Sequence, residues 1–70
     1  MNDPAQLPDL AAELRAQVAT FRNLAQVATD AAARARSRKE EQAALVFEAL
    51  AHARSACAQN LANLLERFGL

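Results

Sequence analysis

From Leu7 to Ala35 the apolar residues fall three and four positions apart. Leu7, Leu10, Leu14, Phe21, Leu24, Ala28, Ala31 and Ala35 take the a and d positions of a heptad, and Gln17 is the polar exception. Ala11, Val18, Ala25 and Ala32 widen the stripe on its e side, which is the broad apolar face of a helix in a bundle. A second stripe of the same kind runs through Ala43, Phe47, Leu50, Cys57, Leu61, Leu64 and Phe68, widened by Ala51, Ala58 and Leu65. Its exception is Arg54, at an a position.

The ends of both stripes carry helix signals. Pro8 suits a first turn, where its missing N–H costs nothing, and Asp9 and Glu13 complement the positive end of the helix dipole. Gly69 after Phe68 suits a C-terminal cap, with Arg67 in the last turn. Between the stripes lies "RARSRKEEQ", residues 34–42. Arg34 and Arg36 suit the end of one helix, and Glu40 and Glu41 the start of another. Ser37 and Glu40 have the S-x-x-E spacing of a capping box.

These signals predict an all-α antiparallel two-helix hairpin, with helix 1 over about 8–36 and helix 2 over about 38–68. A single long helix in an intermolecular coiled coil, and a three-helix form broken near Thr29–Asp30, compete with it. A turn at Ser37 brings together residues whose numbers sum to about 74. Leu24 then meets Leu50, Val18 meets Cys57, and Gln17 and Arg54 land within a turn of each other as a register-setting polar layer.

Such a hairpin leaves apolar residues outside its seam. Val27, Leu45 and Val46, beside Ala31 near the turn, form a patch of the kind that marks a protein interface. The expected outcome is a homodimer forming a four-helix bundle.

Composition changes this picture in three ways. About half of the apolar residues are alanine, which favours helix but offers little burial. Seventy residues make one domain, and a chain this short needs a staple or self-association. With the single cysteine Cys57 and the single histidine His52, neither a disulfide nor a metal centre is expected, and no cofactor. The formal net charge of zero weighs against a protein devoted to phosphate backbone. No leader peptide or membrane span is read in the sequence, so a cytoplasmic protein with no membrane partner is expected, with residues 1–6 disordered.

Candidate chemistry is sparse. His52 follows Glu48 by one turn on the solvent side, and Cys57 reads as a small seam residue, so no enzyme activity is expected. Arg15, Arg22 and Arg36 are spaced by multiples of seven, and with Arg34, Arg38 and Lys39 they suggest an electrostatic contact edge. No tyrosine or tryptophan accompanies it, and all three phenylalanines fall in the seam, so base-stacking is not supported.

With "RSAC" at Arg54–Cys57 and "RFG" at Arg67–Gly69, the hairpin pattern resembles the Rop-type plasmid copy-number regulators. That resemblance implies RNA binding along one helical face, although Asp3, Asp9 and Glu13 make the start of helix 1 acidic. In length and topology the chain also resembles the needle-subunit co-chaperones of type III secretion. The reading that best accommodates all the residues is a small protein–protein interaction module: an adaptor, co-chaperone or inhibitor acting by stoichiometric binding to another protein. A Rop-like RNA-binding regulator and a structural assembly subunit are the competing readings.

Overall fold

The computed structural model describes residues 6–70 and consists of two α-helices packed against each other, α1 (Gln6–Ser37) and α2 (Glu41–Arg67). The expectation of disorder over 1–6 lies outside the described residues, apart from Gln6, which belongs to α1. Thr29 and Asp30 lie well inside α1, where the Thr29 hydroxyl donates to the Ala25 carbonyl at 3.0 Å, so no helix starts there. Among the described residues there is no strand.

The molecule measures 54 × 17 × 15 Å, with a radius of gyration of 16.2 Å. A compact 70-residue domain has about 11 Å. The hairpin is therefore a thin plank with a long perimeter and little interior.

The chain turns at residues 38–40, and the expected Ser37–Glu40 capping box is not formed. The Ser37 hydroxyl instead donates back to the Arg34 carbonyl at 2.9 Å, and Glu40 is the N-cap of α2 without a side-chain cap bond. What ends α1 is a Schellman motif. Lys39 sits in the left-handed region at φ 61°, the Glu40 N–H donates to the Ala35 carbonyl at 2.9 Å, and the Lys39 N–H donates to Arg36 at 3.0 Å. Gly69, at φ 70°, closes α2 in the same way, with the Leu70 N–H donating to Leu65 at 2.8 Å and the Gly69 N–H to Glu66 at 3.1 Å. Arg34 and Arg36 occupy the last turn of α1, Glu41 the first turn of α2 and Arg67 its last, each complementing the helix dipole.

Moving the turn from Ser37 to Lys39 changes which layers meet. The Arg54 guanidinium donates to the Leu24 carbonyl at 3.0 Å, so Leu24 lies beside Arg54 and not beside Leu50. The register differs from the expected one by about one helical turn.

The seam also differs. Ala11, Val18, Ala25 and Ala32 are buried together with Ala28 and Ala35, facing Ala44, Ala58 and Leu65 of α2. Leu14, Phe21, Leu61 and Ala62 pack around Val18, Ala58 and Leu65. The interhelix contact thus runs along the a and e positions of each helix in place of a and d. One residue is 100° of helix, so each helix is rotated by roughly 50° from the expected orientation. Alanine at the seam lets the two backbones approach closely, at the cost of the burial that larger side chains would provide.

The d positions are displaced to the surface. Leu10, Leu24, Leu50 and Leu64 are all exposed, as is Cys57, which the sequence placed in the seam against Val18. Phe21 and Phe47 remain half-buried, whereas Phe68, also expected in the seam, is 71% exposed.

Candidate interaction surfaces

The same rotation in two antiparallel helices carries both d stripes to the same side of the plank. Viewed down the hairpin, α1 turns one way and α2 the other, so displacements of the same sense along each chain converge on one face. Leu10, Leu24 and Ala31 from α1 thereby join Leu50, Cys57 and Leu64 from α2, flanked at the g positions by Val27 and Val46. Val27 and Val46 are each more than half exposed, at 56% and 62%. The result is a leucine face running the length of the hairpin, and Leu14, Leu61, Leu64 and Phe68 form an apolar hollow at its terminal end.

Of the four residues expected at an interface, Val27, Ala31 and Val46 belong to this face. Leu45, 61% exposed, stands at an f position on the outer edge of α2. The sequence reading assigned Leu10, Leu24, Leu50 and Leu64 to the interior and so missed them as surface residues. The largely alanine stripe of Ala11, Ala25, Ala32, Ala44, Ala51 and Ala58, with Val18 and Leu65 in the same positions, was the signal that marks the tighter seam.

The opposite face is polar. Arg15 and Arg22 line a shallow groove with Ala62 and Glu66. Further toward the turn, Arg36 pairs with Glu48 in a second groove that also holds Thr29, His52 and Ser55. The six cations of the expected contact edge are thus divided. Arg15, Arg22 and Arg36 share the polar face, Arg34 is at a g position on the leucine side, and Arg38 and Lys39 sit in the turn. Glu48 and Glu66 interrupt the stripe.

Gln17 is exposed among the leucines, and the half-buried Arg54 reaches the Leu24 backbone. Arg54 therefore ties α2 to the main chain of α1 in place of forming a side-chain layer with Gln17. The bond is made in an exposed setting, by a charged donor to a main-chain carbonyl.

No group of three or more His, Cys, Asp or Glu side chains is placed to hold a metal ion among the described residues. No helix among them is long and apolar enough to cross a membrane. The chain matches no family model, no curated protein and no solved structure.

Proposed function

We propose that this chain is a non-enzymatic protein-interaction module that acts by stoichiometric binding through its leucine face. Its first partner is a second copy, completing a four-helix bundle, and the bundle then serves another protein as an adaptor, co-chaperone or inhibitor. The observation that carries this reading is the leucine face itself. The hairpin buries mainly alanine and leaves Leu10, Leu24, Val27, Val46, Leu50 and Leu64 open along one side. Fully burying a leucine or valine is worth about 1.5–3 kcal/mol, so closing this face supplies the stabilisation that the alanine seam lacks. The setting proposed is reducing and cytoplasmic, in keeping with the single free thiol of Cys57.

The test is sedimentation equilibrium at micromolar concentration. Wild type sediments as a dimer, Val27→Asp with Val46→Asp sediments as a monomer, and Leu45→Asp, off the face, leaves the dimer intact. A wild-type protein that is monomeric throughout the concentration range would sink the self-association reading, and growth beyond the dimer would favour a structural assembly subunit.

A second reading, RNA binding of the Rop type, draws on Arg15 and Arg22, which point away from the leucines and stay available when that face is covered. Arg15→Glu with Arg22→Glu abolishes a nucleic-acid activity and flattens its salt dependence, and leaves protein capture unchanged.

A further inference from the structure

We infer that Gln17 and Asn60 form a polar layer across the leucine face, and that this layer holds the second copy to a single arrangement at a cost in affinity. The inference rests on the self-association reading above and adds to it the residues that give the contact its specificity.

Gln17 takes the d position between Leu10 and Leu24 and is exposed. Asn60, also exposed, takes the g position that Val46 takes two heptads earlier in α2. Two observations put them at one level of the hairpin. The first is the bond from the Arg54 guanidinium to the Leu24 carbonyl, which sets one height on both helices. Because the helices are antiparallel, seven residues back along α1 is Gln17 and seven forward along α2 is Leu61, each about 10 Å farther from the turn. Asn60 is the neighbour of Leu61. The second is that Val18, the neighbour of Gln17, belongs to the same packed cluster as Ala58 and Leu61. The leucine face is therefore not apolar throughout. Leu24, Val27, Val46 and Leu50 lie on the turn side of this level, and Leu10 and Leu64 lie on the other.

A third polar residue, Thr20, stands near this level, but its hydroxyl donates to the Ala16 carbonyl of its own helix at 2.9 Å. The two amides differ from it. Away from the leucine face, amides are tied within their helices: Gln26 donates to Asp30 at 3.0 Å, and Gln59 to Asn63 at 2.9 Å. The residues four positions after Gln17 and Asn60 are Phe21 and Leu64, whose side chains accept no such bond. Among the described residues neither the Gln17 nor the Asn60 amide is hydrogen-bonded. Two free amides thus share one level of an otherwise apolar surface.

Association changes what surrounds them. Covered by a second copy, each amide loses its water, and an amide buried without a partner is strongly unfavourable. A carboxamide carries both donor and acceptor, so amides brought together from two copies of this chain satisfy each other. Arrangements that set them against leucine leave them unpaired and are excluded by that penalty. A face with leucine at both positions would bind more tightly and discriminate less.

The test is Gln17→Leu with Asn60→Leu in the full chain, followed by sedimentation equilibrium and by amide correlation NMR spectra of the dimer. The dimer tightens about tenfold or more, as replacing paired amides by buried leucine allows. The wild-type dimer gives one set of amide resonances and the double variant several, because it no longer tells one arrangement from another. Asn23→Leu, at an exposed c position on the outer edge of α1, changes neither result. Unchanged affinity in the double variant puts the two amides outside the contact and overturns the inference while self-association stands. A tighter dimer that keeps one set of resonances also overturns it, because the layer then selects nothing. A wild-type chain that stays monomeric with full helicity removes the self-association reading, and this inference with it.

Discussion

Lys39 is the most exacting position in the hairpin, and replacing it with glycine should make the protein more stable. Its φ of 61° lies in the region where a Cβ crowds the following carbonyl oxygen. That conformation costs a side-chain-bearing residue roughly 1–2 kcal/mol. Glycine removes the crowding and returns about 0.5–1 kcal/mol through the larger conformational freedom of the unfolded chain. The expected gain from Lys39→Gly is therefore about 0.5–1 kcal/mol. In a chain of this size that is an increase in Tm of about 2–8 °C, read by circular dichroism at fixed protein concentration, because the self-association proposed above would make Tm concentration-dependent. Lys39→Ala is the control. It keeps the Cβ and loses the ammonium, so its Tm stays near that of the wild type. Gly69, at φ 70° with nothing within 4 Å of an added Cβ, gives the converse test: Gly69→Ala destabilises through the backbone alone. If Lys39→Gly lowers Tm, or Lys39→Ala matches its effect, the Schellman turn is not what terminates α1.

Two further outcomes follow from the seam and from the polar face. Ala44 is 0% exposed, so Ala44→Leu forces the helices apart and costs about 1–3 kcal/mol in urea unfolding, while the same change at the exposed Ala49 is nearly neutral. The Arg36–Glu48 pair is well exposed on both sides; a double-mutant cycle with alanine gives a coupling of about 0.2–1 kcal/mol that disappears in 1 M salt.

How far the sequence could be read depends on what a heptad pattern encodes. The two helices, their antiparallel packing and the arginine and glutamate positions at their ends were all legible, because periodicity and dipole complementarity are local properties. The turn was misplaced because Ser37 and Glu40 have a recognised spacing, whereas a lysine in a left-handed C-cap has no spacing to recognise. Gly69 was legible as a cap because glycine is the residue such a site favours. A register change of one helical turn leaves nearly the same faces in contact, so the heptad pattern could not separate Leu24 beside Leu50 from Leu24 beside Arg54. The seam was misread for another reason. Leucine and phenylalanine at a and d predict an interior there, although size alone does not rank two adjacent stripes. Alanine at e permits the closer backbone approach and took the centre. The leucines were consequently recognised as apolar but placed on the wrong side of the helix, and Cys57 went with them.

The seam has a bearing on the molecule's length. Because the same a and e positions recur in every heptad, the seam repeats one pattern along the hairpin, interrupted by the turn, the Arg54–Leu24 bond and the bulkier cluster of Val18, Ala58 and Leu65. Removing residues 25–31 from α1 together with 47–53 from α2 would excise one repeat from each side at the same height. The remaining residues would keep their faces, and the rod would be shorter by about 10 Å. The fold therefore sets the girth of this protein but not its reach, which can be adjusted in heptad steps.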